Sequence, residues 1–97
     1  MLTLIKKLFS PKKANLKQLY ANGALILDVR LPQEFSQGHI KGAINVPLQT
    51  LKREIGLIKK KDKPVITCCM SGVRSAAAAS MLTQHGIEAH NGGGWQS

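Results

Sequence analysis

The feature that most constrains this chain is a change from strand to loop to helix in its second half. The β-branched run 65–67 leads into two adjacent cysteines and a loop with one glycine, and the alanine-rich run 76–79 follows, which strongly favours a helix. Backbone N–H groups of such a loop can converge on one point, and the positive end of the helix lies beside them. A cysteine at this position has a lowered pKa and can act as a nucleophile.

The loop supplies candidate residues for binding an anion at this thiol. Cys69 is the candidate nucleophile, and the candidate substrate-binding residues follow it directly: Met70, Ser71, Gly72, Val73 and Arg74. Arg74 adds a fixed positive charge that suits an oxyanion. The alternative is that both cysteines are small buried residues that only pack in the core. The glycine, the arginine and the start of the helix favour the reactive thiol.

Composition limits the compartment and the partners. Adjacent cysteines rarely meet the geometry of a disulfide, so Cys68 and Cys69 are predicted to be free thiols in a reducing, cytoplasmic compartment. The 97 residues carry a formal net charge of +9, which suits anionic substrates, nucleic acid or an anionic membrane surface. The favoured interpretation is a solvated basic surface, because no aromatic side chains are interleaved with the lysines for base stacking.

Segments whose apolar residues follow the pattern of a strand alternate along the chain with segments whose apolar residues follow the pattern of a helix. The main predicted strands and helices are 15–20 (helix), 24–29 (strand), 43–46 (strand), 48–58 (helix), 65–68 (strand), 73–86 (helix) and 87–90 (strand). This order predicts an α/β domain over residues 12–97, with a mostly parallel sheet and helices on both faces. Residues 1–11 form a separate amphipathic segment or tail that is too short to cross a bilayer.

Polar residues also follow the first predicted strand, at the sheet edge where parallel α/β proteins bind ligands. Asp28 and Arg30 lie at the end of that strand, and His39 lies in the next loop. These three residues are candidates for supporting the site. The favoured role is structural, with a charged pair that staples the following loop and a histidine that organises it. No Cys/His spacing predicts a metal site.

Three segments of the sequence resemble the rhodanese-like family. They are Leu27-Asp28-Val29-Arg30 with Glu34-Phe35, the stretch 38–47 (GHIKGAINVP) and the stretch 69–75 (CMSGVRS), and the glycines before Trp95 fit as well. The resemblance implies a five-stranded parallel sheet and sulfur transfer without a metal or an organic cofactor. It also implies that Cys69 takes sulfur from a small anionic donor such as thiosulfate and holds it as a persulfide. The sulfur then passes to a thiol or cyanide acceptor, or to a protein partner in a sulfur relay.

Two other functions remain open. The first is a phosphatase or arsenate-reductase relative, because counting from Cys68 gives Cys-x5-Arg, the longer spacing of those enzymes. The second is a binding module that uses the same fold without turnover. Cys69, which gives Cys-x4-Arg, is favoured because Thr67 stands where phosphatase loops usually have histidine. The intact Cys69 argues against a pure binding module. Because side chains alternate along a strand, Cys68 is predicted to face the opposite side of the sheet.

Overall fold

The computed structural model describes residues 14–96 of the chain. Helices and strands alternate through this range. In chain order they are α1 (Ala14–Ala21), β1 (Leu25–Asp28), α2 (Pro32–Ser36), β2 (Ile44–Asn45), a 3-10 turn (Leu48–Thr50), α3 (Leu51–Lys60), β3 (Val65–Cys69), α4 (Val73–Gln84) and β4 (Ala89–Gly94). No helix in the described range is long and apolar enough to cross a membrane. The predicted segment 1–11 lies outside the described residues and stays a prediction.

The strands form one parallel sheet with the order β2-β1-β3-β4. Each strand is followed by a connection that returns the chain to the same end of the sheet, so neighbouring strands run parallel. The α/β fold with a parallel sheet is confirmed. The expected number of strands is corrected, because the described residues form four strands and not five. The fifth strand came from the family resemblance alone, and the described range offers only four segments with a strand pattern.

Each face of the sheet has its own hydrophobic core, because successive side chains of a strand point to opposite faces. On one face, Leu27 of β1, Val29 just after it and Val65 of β3 pack against apolar residues of α3 and α4: Leu51, Ile55, Ile58, Ala78 and Leu82. On the other face, Ile26, Ile66 and Cys68 pack with two partly buried leucines of α1 and with Trp95. Helices therefore cover both faces, as predicted. The strand β3 is one of the two inner strands of the sheet, and its side chains pack in both cores.

The last strand is longer than the sequence predicted. It runs from Ala89 to Gly94, and its register places Asn91 beside Thr67 of β3. Gly92 allows this close pairing, because a Cβ at that position would lie 2.9 Å from the Thr67 carbonyl oxygen. Residues 91–94, which lie beyond the predicted strand 87–90, therefore continue the sheet to its carboxyl edge, next to the loop that follows Cys69.

Candidate active site

The candidate nucleophile lies at the centre of the carboxyl edge of the sheet. Cys69 is the last residue of β3 and is only 1% exposed. Gly72 ends the loop that follows and is the residue before α4, with a left-handed backbone at φ 102°. That backbone conformation favours glycine, and a Cβ there would also come within 3.3 Å of Gly93 Cα. The glycine therefore lets the loop fold back over the sulfur.

Three groups hydrogen-bond to the sulfur atom of Cys69. The N–H of Gly72 donates to Sγ at 3.0 Å and the N–H of Ser75 at 3.4 Å, while the Ser75 hydroxyl lies 3.3 Å away. Burial opposes the charged form of the thiol, but hydrogen bonds from Ser75, Gly72 and Ser71 outweigh it. The balance lowers the pKa of Cys69 to about 7. A large share of this cysteine is therefore thiolate at neutral pH, which is the reactive form.

Cys68 has the opposite environment. It belongs to the core on the other face of the sheet and is 2% exposed. Burial, followed by the nearby charge of Asp28, raises the pKa of Cys68 to about 12. This thiol stays protonated at neutral pH, so the two adjacent cysteines differ sharply in reactivity.

These environments predict a simple titration of the protein's reactivity. We expect the rate of alkylation by iodoacetamide to rise with a midpoint near pH 7, the lowered pKa of Cys69, because only the thiolate reacts. Free cysteine would titrate at about 8.5. The Cys69→Ser protein is the control and should lose this reactive component, since Cys68 titrates near 12. A midpoint at or above that of free cysteine would contradict the lowered pKa.

Arg74 is held by a carboxylate that the sequence analysis did not assign to the site. Its guanidinium donates to both oxygens of Glu34 on α2, at 2.8 and 3.0 Å. The hydrogen bonds from Arg74 first, and that from the Leu31 N–H second, lower the pKa of Glu34 to about 2. The pair is therefore fully ionised and its net charge is zero. Arg74 does lie in the loop and helix start beside Cys69, but it is not a free cation.

Asp28 and Arg30 form a buried pair at the end of β1. Arg30 Nε and a terminal nitrogen donate to the two Asp28 oxygens at 2.9 and 2.8 Å, and both residues are at most 1% exposed. The same terminal nitrogen donates to the Gly38 carbonyl at 2.7 Å, and the guanidinium lies 4.7 Å from the centre of the Trp95 ring. These contacts fit the structural role favoured from the sequence, in which the pair staples the following loop, and that role stays a prediction.

His39 also has partners that belong to the fold. Its ring stacks on Phe35 with centroids 3.6 Å apart, and Nδ1 lies 2.7 Å from the Phe35 carbonyl oxygen. The contacts tie the loop to the end of α2. They agree with the favoured role of a residue that organises the loop.

A second layer of polar groups surrounds the cysteine loop and was missed from the sequence. The Ser75 hydroxyl donates to Asn91 Oδ1 at 2.6 Å, and Asn91 Nδ2 donates to the Gly72 carbonyl at 3.0 Å. Thr67 Oγ1 in turn donates to the Ser75 carbonyl at 2.8 Å. Ser75 was part of the recognised motif, but no local signal marked Asn91. Only the register of β4 against β3 brings it to the site.

The fold and the site together define a class of protein. A parallel α/β sheet presents a low-pKa cysteine at the end of its central strand, and a short loop before a helix surrounds the sulfur with N–H donors. Such an arrangement suits a cysteine nucleophile on an α/β scaffold. Residues 12–97 match the family model described as Rhodanese-like domain, and the chain belongs to that family.

Relatives and solved structures agree with this assignment. The chain is 48% identical over 63 residues to the uncharacterized protein YqhL of Bacillus subtilis, covering 65% of this chain and 49% of YqhL. It therefore spans about half the length of that relative. It is 36% identical over 81 residues to the thiosulfate sulfurtransferase GlpE of Ectopseudomonas mendocina, covering 84% of this chain and 72% of GlpE. The crystal structure of a rhodanese-related protein from Thermoplasma volcanium matches with a TM-score of 0.72 and 38% identity, covering 90% of this chain and 86% of that one.

Proposed function

We propose that this protein is a sulfurtransferase that carries sulfur as a persulfide on Cys69. The observation that carries the proposal is the sulfur atom itself, which receives N–H donors from Gly72 and Ser75 and whose pKa is lowered to about 7. Relatives named thiosulfate sulfurtransferase, GlpE among them, support the reaction class.

The reaction has two steps in which the same cysteine alternates between thiolate and persulfide. In the first step the Cys69 thiolate attacks the outer sulfur of thiosulfate, a new S–S bond forms, and sulfite leaves with the electron pair of the broken S–S bond. In the second step cyanide or a thiolate attacks the outer sulfur of the persulfide and releases the Cys69 thiolate. Both steps are displacements at sulfur, so they require neither a metal nor an organic cofactor.

The loop residues 70–74 would receive the donor. Met70, Ser71, Gly72 and Val73 carry no charge, and the charge of Arg74 is balanced by Glu34. Backbone N–H groups therefore supply most of the stabilisation for the outer sulfur and the departing anion. Met70 is 53% exposed and Val73 is 76% exposed, so the outer surface of the loop is partly apolar. This apolar rim suits contact with a protein sulfur-relay partner, whereas thiosulfate or a small persulfide donor would be held by the N–H groups.

The paired Arg74 leads to a prediction about turnover. We expect Arg74→Ala to lower kcat/KM with thiosulfate by about 10- to 100-fold, because a positive group near the developing anion is lost. Stability should change little, because solvent screens the partly exposed ion pair between Arg74 and Glu34. Thiocyanate formation with cyanide as acceptor measures the first effect, and thermal unfolding measures the second. Lys52→Ala, an exposed charge on α3, is the matched control. Unchanged kcat/KM in Arg74→Ala would contradict a role in donor binding.

The phosphatase and arsenate-reductase alternative would require Cys68 as nucleophile. That thiol packs in the core on the other face of the sheet and has a pKa near 12, and both features argue for the shorter Cys-x4-Arg spacing that starts at Cys69. The proposed compartment is the reducing cytoplasm, because the cycle needs Cys69 in its reduced form.

The proposal is tested by mixing purified protein with thiosulfate and cyanide and measuring thiocyanate. A parallel set replaces thiosulfate by glutathione persulfide, and another replaces both substrates by an aryl phosphate. Sulfur transfer from either donor without phosphate release supports the proposal. Phosphate release without sulfur transfer would overturn it, and no turnover in any set would favour a binding module.

A further inference from the structure

The Ser75 hydroxyl has one proton and two acceptors within reach. Its oxygen lies 2.6 Å from Asn91 Oδ1 and 3.3 Å from Cys69 Sγ. A hydroxyl can donate only one hydrogen bond at a time. The shorter distance shows that the proton points to Asn91 in this structure. The oxygen of the hydroxyl then faces Sγ as an acceptor, which suits a protonated thiol and not a thiolate.

Two backbone groups fix which end of the Asn91 amide faces Ser75. The N–H of Gly93 donates to Oδ1 at 2.9 Å, and Nδ2 donates to the Gly72 carbonyl at 3.0 Å. A flipped amide would place its oxygen against that carbonyl and its NH₂ group against the Gly93 N–H. The orientation is therefore determined, and Asn91 presents an acceptor to the hydroxyl.

We propose that Asn91 is a positioning residue that competes with the Cys69 thiolate for the proton of the Ser75 hydroxyl. When Cys69 is a thiolate, the hydroxyl rotates and donates to the negative sulfur. It then no longer donates a hydrogen bond to Asn91. When Sγ carries a proton or the outer sulfur of a persulfide, the hydroxyl donates to Asn91. The change is a rotation of one O–H bond, with no covalent bond made or broken.

The competition acts on sulfur transfer through the reactivity of the thiolate, and this part rests on the proposed function. A thiolate that receives fewer hydrogen bonds is a stronger base and a stronger nucleophile. Because Asn91 competes for the hydrogen bond of the Ser75 hydroxyl, it makes the thiolate less stable relative to the persulfide, whose Sγ is neutral. Asn91 therefore favours loading of sulfur onto Cys69.

The charged groups around Cys69 allow hydrogen bonds to influence its protonation state. Arg74 of α4 interacts electrostatically with Cys69, whereas the neighbouring Cys68 of β3 stays protonated and uncharged at neutral pH. Glu34 of α2 neutralises Arg74, and the Asp28–Arg30 pair of β1 lies beside Cys68 on the other face. Each ion pair carries no net charge, so the balance between burial and the hydrogen bonds to Sγ decides the protonation state of Cys69.

The test is the pKa of Cys69 in four proteins, measured from the pH dependence of alkylation by iodoacetamide. We expect Asn91→Ala to lower this pKa by about 1, because the hydroxyl then donates to the thiolate without competition. Ser75→Ala should raise it by about 1, because that donor is lost. In the double variant the pKa should equal that of Ser75→Ala, since Asn91 acts only through the hydroxyl.

The opposite signs separate competition from simple support of the loop. If Asn91 only braced the loop, both single variants would raise the pKa, and that result would overturn the proposal. His90→Ala, which changes the neighbouring residue whose ring pairs with Glu88, is the matched control and should leave the pKa unchanged. Circular dichroism and thermal unfolding confirm that each variant is folded before its pKa is measured.

Sulfur loading provides a second measurement. At a pH where every variant is fully thiolate, Asn91→Ala should take up sulfur from thiosulfate about three-fold more slowly than the wild type, in line with its lower basicity. The alkylation experiment does not depend on sulfur transfer. If the proposed function is wrong, no variant takes up sulfur, but the expected order of pKa values is still observed. If the Asn91 proposal is wrong, sulfur is taken up, but the order of pKa values differs from the expected one.

Discussion

Cys69→Ser is expected to reduce thiocyanate formation to the uncatalysed background, while Cys68→Ser keeps most of the wild-type rate per folded molecule. The physical reason is the contrast between the two thiols, one with a pKa near 7 under N–H donors and one with a pKa near 12 inside an apolar core. A serine hydroxyl at position 69 is a far weaker nucleophile than a thiolate, and it cannot form a persulfide.

The stability of the Cys68 variant needs its own control. A hydroxyl in the apolar core costs about 1–3 kcal/mol when it finds no hydrogen-bond partner. Cys68→Ala avoids that cost, so it should retain both the rate and most of the stability. If either Cys68 variant lost turnover while remaining folded, and Cys69→Ser kept it, the assignment of the nucleophile would be wrong.

Arg30→Met is expected to lower the free energy of unfolding by about 3–5 kcal/mol, the largest stability effect that the structure predicts. The substitution leaves the Asp28 carboxylate buried without its main partner, and it removes the donor to the Gly38 carbonyl and the cation beside Trp95. Urea unfolding followed by circular dichroism measures the change.

The matched control for this pair removes both charges. The double variant Asp28→Asn with Arg30→Met leaves no unpaired charge, so it should recover part of the lost stability. Arg74→Ala breaks the more exposed pair with Glu34, and its change in the free energy of unfolding is the reference for an ordinary ion pair. A loss below about 1 kcal/mol in Arg30→Met would show that the buried pair does not staple the loop.

The parts of the fold that depend on local pattern could be predicted from the sequence. The apolar strands and the period of α3 and α4 determine which faces are buried, so the parallel α/β architecture followed from them. The alternation of side chains also placed Cys68 and Cys69 on opposite faces. The loop around the candidate nucleophile was predictable because a strand end, a glycine and a helix start occur within a few residues.

Contacts between distant parts of the chain could not be predicted in the same way. Glu34 pairs with Arg74 across 40 positions, and Asn91 reaches Ser75 only through the register of β4. Residues 91–94 also have a low intrinsic tendency to form a strand, because three of the four are glycines. Their strand forms because Gly92 fits against the backbone of Thr67, which is a tertiary effect.

The central claim is that Cys69 carries sulfur as a persulfide, and mass spectrometry tests it most directly. The protein is treated with thiosulfate, its remaining thiols are blocked, and tandem fragmentation of the peptide that holds both cysteines assigns the added mass. Cys68→Ala, treated in parallel, gives a peptide with one cysteine and removes any ambiguity. We predict one added sulfur atom, on Cys69 in both proteins and absent from Cys69→Ser. Added sulfur on Cys68, or none on either cysteine in folded protein with thiosulfate or glutathione persulfide, would contradict the account.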